Sequence, residues 1–127
     1  MRRTFIIMLA VLAVSLAVCG GAFGFLSGAV ERAEAFRAES LLAAEAGDAE
    51  RALEKLARLA EFWEARKPVL EMIVSHDDVH AVRTALAEAK ICLECDDHDD
   101  FLRNMAVVGE GLAHIRDEET ISLENLY

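Results

Sequence analysis

The chain has 127 residues, 54% of them hydrophobic, and a formal net charge of −10 at pH 7. That charge excludes nucleic acid as a partner, because phosphate binding needs a basic footprint, and it argues against lying flat on anionic lipid. Only three cysteines are present and one of them, Cys19, sits in an apolar run, so no disulfide framework is implied.

The first element is that apolar run. Thr4 to Val30 contains no charged side chain, follows Arg2-Arg3 and is closed by Glu31. As a helix it would be about 40 Å long, enough to cross the ~30 Å hydrocarbon core with some tilt. The two arginines ahead of it, with Glu31 directly behind, orient the N-terminus inside and residues 31–127 outside the cytoplasmic membrane. Two processing signals compete with this single-pass anchor. Phe5 to Val18 has the character of a signal-peptide core with Gly20-Gly21-Ala22 as its cleavage site, and Leu16-Ala17-Val18-Cys19 approaches a lipoprotein box. The uncleaved anchor is preferred, because cutting near Ala22 would leave Phe23, Phe25, Leu26 and Val30 on a sticky new terminus. Within the run Gly20, Gly24 and Gly28 recur every fourth residue, beside a second small-residue stripe of Ala13, Ala17 and Gly21. On a helix such stripes let two backbones approach closely, so the glycines are candidates for packing against a second copy or another membrane protein.

Residues 31–127 hold all 23 acidic residues and all but two of the 13 basic ones, and their length suits a single core. The predicted elements are all helical. Glu31 to Ala46 continues the first helix outward with a thin apolar face of Ala33, Phe36, Leu41 and Ala44; Gly47 ends it and Asp48 caps the next. Ala52, Leu56, Leu59 and Trp63 step by four, three and four, the spacing of a bundle seam. Pro68, the only proline, is expected to kink or restart that helix before the seam resumes at Leu70 and Ile73. Ser75-His76-Asp77-Asp78 is a capping-box variant opening a third helix, whose stripe is Val79, Val82, Leu86, Ala89 and Leu93. Asp97 with Asp100 repeats the capping logic ahead of a fourth, marked by Leu102, Met105, Val108, Leu112 and Ile115. The tail from Arg116 reads as a charged turn followed by Ile121, Leu123 and Leu126, which would anchor it on the bundle. No stretch sustains period-two alternation, so no sheet is expected. The fold class is therefore all-α: a transmembrane helix over 4–30, then an antiparallel bundle of three to four helices over 31–127.

Two clusters carry the chemistry that remains. His76 and His80 share a helix face at the spacing of a two-histidine metal site, the antiparallel fold brings His114 back to their level, and Asp77 or Asp78 can complete the shell. His76-Asp77-Asp78-Val79-His80 echoes H-E-x-x-H with the shorter arm of Asp in place of Glu. Cys92 and Cys95 with His98 form the second set, for a metal or a redox pair, although no second cysteine pair completes a zinc ribbon. The plainer reading of both sets is structural: capping-turn and helix-terminal histidines, and cysteines at a helix end. Asp96, Asp97, Asp99 and Asp100 do not form an EF-hand loop, which needs Gly and Glu at positions where neither stands. No nucleophile elbow and no phosphate loop appears, so no catalytic residue, cofactor or metal is assigned.

Trp63, the Leu70…Ile73…His76-Asp77 stretch, Leu86, His114-Ile115 and the ending Ser122-Leu123-Glu124-Asn125, with the general N-terminal layout, give the chain a resemblance. It resembles an uncharacterised domain-of-unknown-function family of small bacterial proteins with one N-terminal membrane segment. The resemblance implies no activity; it marks His76, His114 and Asn125 as structural or contact residues. His80 replaces an acidic residue of the family pattern, and Cys92 and Cys95 lie outside it. The leading expectation is a membrane-anchored, non-enzymatic helical module that binds other proteins outside the cytoplasm; the alternative is an extracytoplasmic metal-binding or thiol-redox protein. The expected partners are the lipid bilayer and, through the glycine stripe, a second copy or another membrane protein.

Overall fold

The computed structural model describes residues 1–125, with side chains up to Glu118. Four helices follow one another: α1 (Arg2–Glu45), α2 (Ala49–Ile73), α3 (His76–Glu94) and α4 (His98–Asn125), with no strand among the described residues. Each connection is only two or three residues, too short for anything except antiparallel neighbours. Helix α1 packs on α2 and α4, and α3 packs on α2 and α4, so the four close into a square up-down-up-down bundle.

The two turns at one end of the bundle are built alike. Gly47 takes a left-handed conformation at φ 79°, with Asp48 N–H donating to Ala43 O at 2.9 Å and Gly47 N–H to Ala44 O at 3.1 Å. Asp96 does the same at φ 57°, with Asp97 N–H donating to Cys92 O at 2.8 Å and Asp96 N–H to Leu93 O at 3.3 Å. Each is a Schellman ending whose final residue caps the next helix. Asp48 Oδ1 accepts from Arg51 N–H at 3.0 Å and Asp97 Oδ1 from Asp100 N–H at 3.2 Å. Glycine adopts the left-handed state without a Cβ clash, whereas Asp96 pays for it. Asp96→Gly is therefore expected to stabilise the bundle by about 1 kcal/mol, read as a higher urea midpoint; an unchanged or lower midpoint would refute that account.

The core is a stack of seam residues. Ala52, Leu56, Leu59, Trp63 and Leu70 of α2 are buried, as are Val79, Val82, Ala85, Leu86 and Ala89 of α3. On α4 the buried stripe is Phe101, Met105, Val108, Leu112 and Ile115. Phe101 replaces the expected Leu102, which is 37% exposed. A step of four to Met105 keeps the three–four alternation, whereas Leu102 lies one residue and ~100° further round the helix. Helix α1 differs from expectation in the same way. Its buried seam runs through Leu26, Ala29, Ala33, Phe36, Ser40 and Ala43, with Phe36 only partly covered. Leu41 and Ala44 flank that seam instead of forming it. Ser40 is polar and fully buried because its Oγ donates to Ala52 O at 2.8 Å, where small residues on both helices bring α1 and α2 together.

Two further expectations are corrected. Of the two outcomes expected at Pro68, the restart does not occur: α2 runs unbroken through it. The carbonyl it leaves without a helical donor belongs to Glu64, and both residues are solvent-exposed, so water can supply the missing hydrogen bond. The charged turn after Ile115 does not form: Arg116, Asp117 and Glu118 are good or tolerable helix residues with no glycine or proline among them, and α4 continues to Asn125. Whether Ile121, Leu123 and Leu126 pack on the bundle lies outside the described side chains.

A polar clamp crosses each of the four helix interfaces. Ser40 to Ala52 and Lys55 Nζ to Glu39 at 3.1 Å join α1 to α2. Trp63 Nε1 donates to Val79 O at 3.0 Å, joining α2 to α3 beside the Arg83–Glu64 ion pair. Asn104 Nδ2 donates to Cys92 Sγ at 3.5 Å between α4 and α3. Arg37 Nε donates to Met105 O at 2.8 Å between α1 and α4, its guanidinium also held by Glu34 at 2.7 Å. That last clamp explains Gly109, since a Cβ there would collide with the Arg37 guanidinium. Gly111 serves a close approach of its own, where a Cβ would press on Val82 Cγ2.

Candidate functional site

The largest departure from an ordinary soluble bundle is the front of α1. This helix has 44 residues against 25 for α2, so it overshoots its neighbours by roughly half its length. Residues 1–21 are exposed throughout, and Phe5, Ile6, Ile7, Met8 and Leu9 each leave 51–66% of their surface uncovered. The helix contains a window apolar and long enough to cross a membrane, of mean hydropathy 2.5 and with none of it buried. The twenty helical residues 2–21 span about 30 Å, close to one hydrocarbon thickness. The apolar run thus divides in two: its front half lies outside the bundle, while Leu26, Ala29 and Val30 belong to the core.

Gly20, Gly24 and Gly28 are all exposed, and a Cβ at any of them would meet nothing within 4 Å. Their angular positions place them opposite Leu26 and Ala29, on the face of α1 turned away from the bundle. The stripe remains an open surface.

The histidine set is split in two. His76 and His80 lie nearly parallel, ring centroids 6.1 Å apart, both at exposed positions on the first turns of α3. His76 Nδ1 meets Glu71 Oε1, an oxygen shielded from solvent, at 2.7 Å, and Lys67 Nζ stands 4.0 Å from the same oxygen. His114 does not join them. Its Nε2 lies 3.2 Å from Glu118 Oε1 on its own helix and 3.6 Å from Asp78 Oδ1 across on α3. Asp78 occupies the third position after the Ser75 cap, whose Oγ accepts from Asp77 N–H at 3.2 Å. In a full capping box Asp78 would turn back to that cap; here it faces His114. Among the described residues, Asp78, His114 and Glu118 are the only His, Cys, Asp or Glu side chains that gather three possible ligand atoms within 4.8 Å of one another. The sequence pointed to Asp78 and His114 but missed Glu118 and Glu71. The spacing of His114 and Glu118, four apart on one helix face, was the available signal.

The cysteine set comes together only partly. Cys92 is half-buried and Cys95 exposed, both with free thiols, and His98 opens α4 beyond the turn. Ala44, Gly47, Cys92, Leu93, Asp97 and His98 line a 120 Å³ dimple between the two Schellman turns, which places both at the same end of the bundle. The aspartates there repel one another. Asp97, first by hydrogen bonding and then by its charge, pushes the Asp100 carboxyl above its ordinary value, and Arg103 at 3.2 Å opposes it. A larger groove of 330 Å³ lies over Trp63 between α2 and α3, lined by Ala57, Ala60, Ala87, Arg83 and Lys90 among others.

These features define an all-α protein: a closed four-helix antiparallel bundle whose first helix carries a long exposed apolar extension. Within that class the chain belongs to the domain-of-unknown-function family DUF4363, whose model matches residues 37–126. The resemblance anticipated from about Trp63 onward therefore reaches back into the bundle half of α1. Comparison with curated proteins and with solved structures returns no match.

Proposed function

We propose that the chain is a single-pass membrane protein, with the front of α1 in the bilayer and the bundle held outside the cytoplasm as a non-enzymatic interaction module. The observation that carries this reading is the exposure of residues 1–21. In water, a contiguous apolar surface of that size is far larger than a soluble monomer tolerates. In lipid, every backbone group is satisfied within the helix and the apolar side chains lie in their preferred solvent. Arg2 and Arg3 support the orientation through the excess of positive charge on cytoplasmic flanks. The acidic bundle is suited to remain in water beside the membrane, where it can meet a protein partner.

The thiols provide a direct test. A membrane-impermeant maleimide added to intact cells (outer barriers permeabilised) is expected to label exposed Cys95 and to spare Cys19, which the bilayer would cover. Labelling of Cys95 only after lysis would reverse the orientation.

One structural observation favours a second reading, that of a processed protein. Leu26 and Val30 are buried and Phe23 and Phe25 are partly covered. A cut near Ala22 would therefore leave a whole bundle and no sticky terminus, which removes the objection raised from sequence. Lipidation at Cys19 would likewise keep the bundle entire. The intact mass of the protein recovered from membranes separates the three forms: full length supports the anchor, whereas loss of residues before Cys19 or Ala22 replaces it.

A further inference from the structure

We propose that Asp78, His114 and Glu118 form a binding site for a divalent transition-metal ion of the zinc type, which staples α3 to α4 at the end of the bundle where α1 projects. This inference goes beyond the anchoring reading and does not depend on it.

The argument begins with the ligand atoms. One imidazole nitrogen and two carboxylate oxygens are a ligand set that zinc accepts, and the nitrogen selects against calcium and magnesium, which prefer oxygen alone. With bonds of about 2.0–2.2 Å, two ligands of a tetrahedral ion stand roughly 3.3–3.5 Å apart. Here His114 Nε2 is 3.2 Å from Glu118 Oε1 and 3.6 Å from Asp78 Oδ1, and all three atoms lie within 4.8 Å of one another. Small side-chain rotations would place an ion between them without moving a helix.

Placement and charge point the same way. His114 and Glu118 are one turn apart on α4, so they project together, while Asp78 comes from the first turn of α3. The site therefore bridges two helices, which an ion pair within α4 alone would not do. The Asp78 and Glu118 carboxylates bring two negative charges to one point, which a divalent ion balances. Asp78 is only 22% exposed, so water screens it weakly, while His114 at 58% leaves the fourth coordination position open to solvent. The same arrangement makes the site different from the one expected from sequence: His76 and His80 contribute nothing to it, and His76 is engaged with Glu71.

The full-length protein in detergent micelles, stripped with a chelator, would be titrated with Co²⁺ and then with Zn²⁺ in competition. The expected result is a single equivalent of Co²⁺ with the visible absorption of a four-coordinate ion, displaced by Zn²⁺, and a higher unfolding temperature with Zn²⁺ present. His114→Ala, Asp78→Asn and Glu118→Gln should each weaken binding on the order of tenfold or more. His76→Ala, His80→Ala, Cys92→Ser and Cys95→Ser should leave it unchanged. His114 is exposed, so its alanine variant should keep the wild-type far-ultraviolet circular dichroism. Absence of binding overturns the proposal, as does binding that survives His114→Ala or disappears with the cysteine variants.

Discussion

Trp63→Ala is expected to destabilise the bundle by about 3–5 kcal/mol, a large share of the roughly 5–15 kcal/mol that holds a typical domain together. Trp63 is the largest side chain in the core, has no exposed surface, and sits where α2 meets α3. Removing the indole empties a volume that backbone-constrained neighbours cannot refill, so lost transfer energy and lost dispersion add together. The side chain also supplies the Nε1–H donor that holds α2 to Val79 O at 3.0 Å. Trp63→Phe keeps most of the volume and loses the donor, so a smaller cost of about 1–2 kcal/mol is expected. Urea unfolding of the full chain in micelles, followed by circular dichroism in the wild type and both variants, measures the two effects. Equal midpoints for wild type and Trp63→Ala would mean that the indole does not hold this core together.

Two truncations should behave in opposite ways, although they differ by only nine residues. A chain beginning at Ala22 lacks the exposed part of α1 and keeps every buried residue, so it should fold and remain soluble without detergent. A chain beginning at Glu31 also loses Leu26, Ala29 and Val30, which are 1%, 4% and 1% exposed. Losing one buried leucine and one buried valine removes about 3–6 kcal/mol of apolar burial, before any cavity term. The second chain should therefore unfold at much lower urea or fail to fold. Matching midpoints would show that the core begins only after Val30, where the uncharged run ends in sequence.

Those nine residues show why the boundary was illegible. Hydropathy reads Thr4 to Val30 as one object, because burial in protein and burial in lipid select the same side chains. The three–four spacing that separates them begins at Leu26 and continues to Ala43, through a serine that an apolar pattern skips. Ser40 becomes acceptable in the core only because Ala52 O lies 2.8 Å away on α2. The choice of Phe101 over Leu102 is similar, since two adjacent large apolar residues offer two stripes and packing against α1 and α3 selects one. For the candidate site, the helix periodicity brought His114 to the level of α3's first turn, and Asp78 was among the residues named for it. Glu118 follows from its place one turn beyond His114 on the same helix. The partner from α3 was fixed by how far α4 is rotated and shifted against α3, which is why His114 meets Asp78 and not His76 or His80.

Sequence by itself determined the all-helical class, the apolar excess at the front, and the endings at Gly47-Asp48, Ser75 and Asp97. Each of these depends on residues within about one helical turn of one another, so local physics is sufficient. Only the tertiary structure decided where the core starts on α1, which of two neighbouring side chains faces inward, and which carboxylate of α3 meets His114. Those outcomes follow from the rotation and axial offset of whole helices, and these are set by the summed packing of every interface at once.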